Sequence, residues 1–284
     1  MKVDKLINSY IKSHNLKNTN YMDIDRLIAF SLNKELNDYL IYKKDIILND
    51  QEVKRVQKNL DTFYISKVPL QYILGKQSFF KETYIVTPSV LIPRQDTEIL
   101  VEEAIKYINL ENLKYCLDLC SGSGCIGISI SNNSSIEKTD LIDISKDAVK
   151  IAEKNIILNN SENKCKCICS DLFDNIKLNT KYDILVSNPP YISKEELILL
   201  DEYVKKEPLT ALDGGKKGLD IYDKILQKAN NYLADNAVIL FEIGYNQKSD
   251  LISLISKYDY YEYIDCIKDY GNNDRVIVCR FHQR

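Results

Sequence analysis

The feature that most constrains this chain is the run Asp118-Leu119-Cys120-Ser121-Gly122-Ser123-Gly124-Cys125-Ile126-Gly127, in which a short apolar segment breaks into glycines and resumes at once as an apolar helix. Gly122, Gly124 and Gly127 satisfy the spacing G-x-G-x-x-G, by which a parallel strand hands over to a crossover helix while its backbone stays open to a ligand. Such a turn works only in a particular setting, and the rest of the chain supplies it. Apolar runs at 115–119, 139–144, 165–169, 182–187, 237–242, 260–265 and 276–280 alternate with segments of helical spacing. Seven strands in a mostly parallel sheet with helices on its faces are therefore predicted.

Before residue 75 the pattern differs. Leu6, Ile7, Tyr10, Ile11, then Ile24, Leu27, Ile28, then Leu36, Tyr39, Leu40, then Val53, Val56, Leu60 fall at helical spacing, which predicts a small helical bundle over 1–75. Gly75 ends it. Ser78-Phe79-Phe80 and Tyr84-Ile85-Val86, separated by Lys81-Glu82-Thr83, predict a β-hairpin linker over 76–93, and Pro88 and Pro93 stiffen its exit. The third expected domain, 94–284, opens with Arg94, Asp96 and Thr97 ahead of a helix carrying Ile99, Leu100, Ala104, Ile105 and Ile108.

Of the 284 residues 45% are hydrophobic and 28% charged, which excludes disorder and gives enough apolar surface for one large and one small core. No apolar run has the length of a membrane span and the N-terminus lacks a signal-peptide core, so a cytoplasmic chain without membrane contact is expected. A net charge of −3 leaves no basic footprint for nucleic acid. The eight cysteines are expected to be reduced. Cys165, Cys167 and Cys169 share one strand face, but with only His14 and His282 in the chain a metal site lacks its fourth ligand, and none is expected.

Two aspartates bear on what the glycine turn binds. Asp118, just before it, repels a pyrophosphate on the helix N-terminus but suits a cationic sulfonium cofactor. Asp143, at the end of the second strand, can accept both ribose hydroxyls of either cofactor class, and that role is compatible with stabilising the helix N-terminus that follows. The second strong motif, Asn188-Pro189-Pro190-Tyr191, ends the fourth strand of the sheet. An amide or exocyclic amine nitrogen is a poor nucleophile because its lone pair is delocalised. Two acceptors aimed at its N–H bonds, the side-chain oxygen of Asn188 and the carbonyl of Pro189, hold it in line and favour the charge that develops on attack. Tyr191 offers a flat face for a planar group. Methyl transfer from S-adenosyl-L-methionine to a planar nitrogen follows. An adenine-N6 nucleic-acid methyltransferase is the first alternative, although such enzymes usually carry a basic target-recognition region. An NAD-binding oxidoreductase on the glycine turn leaves Asn188-Pro189-Pro190-Tyr191 unexplained.

At these residues the chain resembles the peptide chain release factor glutamine methyltransferases, the protein-(glutamine-N5) methyltransferase family. The likeness extends to Pro69-Leu70-Gln71-Tyr72-Ile73-Leu74-Gly75, to Val90-Leu91-Ile92-Pro93-Arg94-Gln95-Asp96-Thr97-Glu98 and to Glu207-Pro208-Leu209-Thr210-Ala211-Leu212-Asp213-Gly214-Gly215. It implies an α/β fold: a Rossmann-like seven-stranded class I methyltransferase domain preceded by the helical bundle and hairpin. It also implies methylation of the glutamine in the Gly-Gly-Gln loop of bacterial-type release factors, with the 1–75 domain docking that partner; a monomer is expected of an enzyme that must embrace so large a protein. By the same resemblance Cys120, Ser121, Gly122, Ser123, Gly124, Asp143, Asp171, Leu172 and Asn188 bind S-adenosyl-L-methionine, whose product is S-adenosyl-L-homocysteine. Asn188, Pro189, Pro190 and Tyr191 hold the glutamine, with Asn188, Pro189 and Tyr191 in the catalytic role. A relative acting on a ribosomal protein is a further alternative. Cys120 stands where many members have glycine, with its small size expected not to block the turn, and Gln95 replaces a usual proline. Arg94 and Glu207 either touch the partner or anchor their own loop, Gly214 to Gly218 form either a flap or a plain loop, and Glu242 is expected to be structural.

Overall fold

An apolar strand of five or six residues that carries helices on both sides buries both of its faces, and successive residues feed opposite layers. The computed structural model, which describes residues 1–17 and 19–283, shows this arrangement. Asn18, inside the expected 1–75 domain, and Arg284, the last residue of the expected 94–284 domain, lie outside the described residues. The chain forms two units, one comprising Met1–Gly75 with Glu202–Lys206, the other Lys76–Asp201 with Glu207–Arg284.

The first unit is helical: α1 (Val3–Ser13), α2 (Tyr21–Ser31), α3 (Leu36–Tyr42), α4 (Asp50–Tyr64) and α5 (Leu70–Leu74). Leu6, Ile24, Leu27, Ile28, Tyr39, Val56 and Leu60 form its core. Asp25, buried among them, accepts from the Tyr39 hydroxyl at 3.0 Å and from Lys43 Nζ at 2.8 Å, so its charge is compensated. α4 starts from a reciprocal cap, Asn49 Oδ1 accepting from Glu52 N–H and Glu52 accepting from Asn49 N–H. Residues Glu202–Lys206 join this unit, where the Tyr203 ring lies 5.1 Å from that of Phe63.

The second unit opens with a hairpin of β1 (Lys76–Phe79) and β2 (Glu82–Ile85), followed by α6 (Glu98–Glu111), β3 (Tyr115–Leu119), α7 (Cys125–Asn133), β4 (Lys138–Asp143), α8 (Lys146–Leu158) and β5 (Cys165–Cys169). It continues with β6 (Tyr182–Ser187), α9 (Lys194–Leu199), α10 (Asp220–Ala229), β7 (Leu233–Glu242), α11 (Lys248–Ile255), β8 (Tyr261–Lys268) and β9 (Asp274–Phe281). The seven-stranded sheet has the order β5-β4-β3-β6-β7-β9-β8, parallel from β5 to β7, with β9 antiparallel to both of its neighbours, β7 and β8. Chain direction across the sheet reverses between β4 and β6, with β3 shared, so the crevice at the carboxyl ends of these three strands is the topological switch point.

Strand parity divides the core. Leu117, Leu119, Leu185, Ile239 and Phe241 face Tyr222, Leu226 and Leu251 of α10 and α11, whereas Cys116, Ile184, Val186, Val238 and Leu240 face Leu100, Ala104, Ile126 and Ile130 of α6 and α7. The expected strands all form, and the differences lie at their ends. β7 starts four residues earlier than the pattern suggests because Leu233 pairs with Tyr182 across a register shift, with Asn236 at a φ of 61° absorbing the irregularity.

The hairpin pairs Phe79 with Glu82, so its turn is Phe80-Lys81 rather than the three residues expected, and Phe80 takes a φ of 54° to close it. It is stitched to the sheet domain. Asn155 of α8, fully buried, accepts from Ile85 N–H at 2.6 Å and donates to Ile85 O at 3.0 Å and Ser123 O at 2.9 Å, standing in for a missing strand neighbour. Tyr84 meets Ser129 at 2.7 Å. Asn155→Ala strands three backbone groups without partners, and buried unsatisfied groups are costly. A loss of about 2–4 kcal/mol is expected in chemical denaturation, since each orphaned group costs about 1–3 kcal/mol.

Candidate active site at the carboxyl ends of the parallel strands

Leu119 is the register partner of Ile142 on one side and Ser187 on the other. The next residue of each strand, Cys120, Asp143 and Asn188, therefore emerges at one level, where all three line a cavity of about 380 Å³. That volume lies in the range of small-molecule sites. Gly122, Asp171, Leu172 and Pro190 line it as well, together with Ser89–Leu91, Ser145, Ala148, Pro208–Ala211, Asp213, Ile221 and Lys224.

Asp143 organises the floor. Its Oδ2 accepts from Gly122 N–H and its Oδ1 from Ser145 N–H, each at 2.8 Å, so one carboxylate ties the glycine turn to the start of α8. Each oxygen retains a lone pair for a ligand hydroxyl. Burial raises its pKa, and the two N–H groups oppose that rise. The turn is further held by Ser121 N–H on Ile142 O at 2.9 Å. Ser121 and Ser123 are buried beneath the cavity and do not line it, and Gly124 serves packing. A Cβ on Gly124 meets Leu141 at 2.8 Å and one on Gly127 meets Asp118 Oδ2 at 3.0 Å, so both glycines let α7 approach the sheet. Cys120 adopts a φ of 61°. Its left-handed backbone rather than its size explains why glycine suits this position, since a side chain there costs about 1–2 kcal/mol.

Asp118 does not face the ligand space. It shares the parity of Cys116, is fully buried against α7 and accepts from Gly127 N–H at 2.9 Å, capping that helix. The discriminating charges instead are Asp143, Asp171 and Asp213, with Lys224 the one basic residue among those lining the cavity. An acidic cleft of this kind favours a cationic ligand and disfavours a pyrophosphate.

Asn188-Pro189-Pro190-Tyr191 leaves β6 above this floor. Asn188 Nδ2 donates to Thr97 Oγ1 at 3.4 Å, and the Tyr191 hydroxyl to Glu242 Oε1 at 3.5 Å. Pro189 is buried, and neither it nor Tyr191 is among the cavity-lining residues. The segment around Gly214 to Gly218 straps the tetrapeptide from behind. Ile192 N–H donates to Leu212 O, Gly214 N–H to Ile192 O, and Gln247 Nε2 to both Tyr191 O and Gly218 O. A Cβ on Gly218 falls 2.1 Å from Tyr191 O, and the backbone there is left-handed at a φ of 72°, so only glycine fits. Arg94 pairs with Glu207, which also accepts from Ile92 N–H at 3.0 Å, so these two charges anchor the 90–94 and 207–211 loops against each other. Thr97, Gln247 and the 208–211 wall were not legible as site residues from spacing alone; the matched stretches 90–98 and 207–215 contain Thr97 and the wall, whereas Gln247 lies in none of them.

Among the described residues no group of His, Cys, Asp and Glu is arranged to hold a metal, all eight cysteines are free thiols, and no helix is long and apolar enough to cross a membrane.

Residues 95–209 match the family model described as Methyltransferase small domain. A release factor glutamine methyltransferase of Fusobacterium nucleatum is 37% identical over 95% of this chain and 76% of its own length. One from Clostridium acetobutylicum is 33% identical over 96% and 98%. Among solved structures, a ribosomal protein L11 methylase from Lactobacillus delbrueckii superposes with a TM-score of 0.51 at 17% identity, covering 72% of this chain and 90% of that one, which shows a shared fold.

Burial raises the pKa of Asp118 to about 8 and that of Glu242 to about 7, from ordinary values of 3.8 and 4.5. Between the ordinary carboxylate range and pH 8 the folded chain thus holds more protons than the unfolded one, and stability falls as pH rises through that window. Scanning calorimetry should show the melting temperature declining from about pH 5 to 8, with Asp118→Asn flattening the decline; a melting temperature that rises across this window contradicts the assignment.

Proposed function

Because the chain belongs to the release factor glutamine methyltransferase family, we propose that it transfers a methyl group from S-adenosyl-L-methionine to the side-chain amide nitrogen of the glutamine in the Gly-Gly-Gln loop of bacterial-type peptide chain release factors. The observation that carries this reading is the emergence of Asn188 beside Asp143 and Cys120 on one acidic cavity. The donor set fits the cofactor: Asp143 for the ribose hydroxyls, Gly122 as an open backbone approach, Asp171 and Leu172 at the base, and net negative charge for the sulfonium. When bound, the cofactor supplies an electrophilic methyl and leaves as the neutral thioether S-adenosyl-L-homocysteine.

The chain's own groups prepare the nucleophile. Asn188 Oδ1 and the Pro189 carbonyl accept the two amide N–H bonds, turning the nitrogen lone pair toward the methyl and favouring the positive charge that grows on it. A methylated amide nitrogen would be strongly acidic and would shed its surplus proton to solvent, so no dedicated base is required of the chain. Tyr191 and Pro190 supply flat and apolar surface to a planar group. The 89–91 and 208–211 segments wall the cavity. Residues 1–75 serve to dock the release factor, a role consistent with a helical unit that carries none of the cavity-lining residues.

Incubation with labelled S-adenosyl-L-methionine and purified release factor should label the factor, and replacing the Gly-Gly-Gln glutamine by alanine should abolish the label. Label in DNA or in ribosomal protein, or label persisting in the altered factor, contradicts the reading. Asn188→Ala should lower kcat by on the order of 10²–10³-fold with a smaller effect on cofactor affinity, as expected for an acceptor used chiefly in the transition state.

A further inference from the structure

β7 runs beside β6 with Phe241 opposite Ser187, so the residue after each, Glu242 and Asn188, comes out at the same level of the sheet. Glu242 is 2% exposed and lies behind the tetrapeptide rather than in the cavity. A carboxyl group so deep in an apolar layer is costly, and it is engaged on the side of the tetrapeptide. Its Oε1 accepts from the Tyr191 hydroxyl at 3.5 Å, the nearby Thr97 hydroxyl favours its ionised form, and Oε2 has no hydrogen-bond partner among the described residues. Thr97, itself 2% exposed, receives Asn188 Nδ2–H at 3.4 Å. Glu242, Thr97 and Asn188 thus cluster behind the tetrapeptide, and the hydrogen bond that joins two of them runs from Asn188 to Thr97.

The direction of these bonds matters chemically. An asparagine amide can present either its oxygen or its NH2 to a ligand, and only the oxygen can accept an N–H of the glutamine. An ionised carboxylate is acceptor-only, so a threonine beside it must point its proton at the carboxylate and keep its lone pairs for another donor. The one donor in reach is Asn188 Nδ2, and once that NH2 is taken the Asn188 oxygen is left for the substrate.

We propose that Glu242 is a positioning residue that acts through Thr97 to hold the Asn188 amide with its oxygen toward the substrate nitrogen. The proposal rests on the reading of Asn188 as the acceptor for the glutamine amide. Its consequence is a dependence of kcat on the charge state of Glu242, because a protonated carboxyl can donate to Thr97 and release the polarity of the cluster. The groups that face Glu242 are Arg275 of β9, itself held by Asp269 at 2.9 Å and Asp96 at 3.5 Å, with Tyr191, Cys125 of α7, and Tyr222 of α10, whose hydroxyl donates to Glu242 O at 2.6 Å. Burial holds the Glu242 pKa at about 7, with the Thr97 hydroxyl and the Arg275 charge opposing a further rise and the Asp96 charge adding to it, so the transition falls within the working pH range.

The test uses the full chain, labelled S-adenosyl-L-methionine and purified release factor, with kcat and both KM values followed across about pH 5.5 to 9 for the parent and for Glu242→Gln, Thr97→Val and Thr97→Ser. In the parent, kcat should fall on the acid side of about pH 7. Glu242→Gln and Thr97→Val should lower kcat on the order of 10²-fold with little change in the cofactor KM, and Glu242→Gln should lose the acid limb. Thr97→Ser, which keeps the hydroxyl, should restore most of the rate. Should Glu242→Gln fail to fold, the Thr97 pair carries the test, since a merely structural role predicts no kcat difference between valine and serine at constant cofactor KM. A parent that methylates the glutamine while Glu242→Gln keeps its kcat and pH profile, or while Thr97→Val matches Thr97→Ser, overturns the relay alone. A parent that leaves the glutamine unmethylated overturns the reading on which the relay rests.

Discussion

The site depends first on the parallel register around β3. Leu119 pairs with Ile142 and Ser187, and that alignment alone brings the glycine turn, Asp143 and Asn188 to the same height at the switch point of the sheet. A one-residue slip in either neighbour would reverse the faces of its side chains and drive apolar groups into solvent. The core therefore enforces the site: the alternation that sends Leu117 and Leu119 to one helical layer and Cys116 and Asp118 to the other also fixes where Cys120 emerges. Asp143 then converts register into a rigid floor by bridging Gly122 and Ser145.

Much of this was legible in the sequence because it is local. A strand, a glycine turn and a helix in succession leave few options, and a tetrapeptide with two prolines at the end of an apolar run must terminate a strand. Side-chain direction was less legible. Asp118 reads as a ligand group from its position next to the turn, yet strand parity turns it under α7 to cap Gly127. Cys120 reads as a question of size, yet its left-handed φ is the constraint. Long-range partners were not legible from spacing: Thr97, Glu242 and Gln247 reach the tetrapeptide across separations of 91, 51 and 56 residues. The pairing of Arg94 with Glu207, 113 residues apart, likewise required the fold to choose between an anchor and a partner contact.

The support behind Asn188-Pro189-Pro190-Tyr191 differs from that beneath the cavity. The floor is held by backbone groups on a carboxylate, whereas the tetrapeptide is held by the Gly214 to Gly218 segment, Gln247 and the buried acid Glu242. Such a division suits an enzyme that must bind a small cofactor firmly and present a nucleophile's partner atoms with little freedom, since misplacement by about an ångström costs on the order of 10²-fold in rate.

The central claim is that Asn188 and Pro189 together hold a planar amide beside the cofactor. The most direct measurement is a crystal structure of the chain with S-adenosyl-L-homocysteine and a Gly-Gly-Gln peptide. The glutamine amide nitrogen is expected within about 3 Å of both Asn188 Oδ1 and the Pro189 carbonyl oxygen, facing the thioether sulfur, as hydrogen-bond geometry requires. A glutamine amide bound away from these two oxygens, or an Asn188 that turns its NH2 toward the substrate, would contradict it.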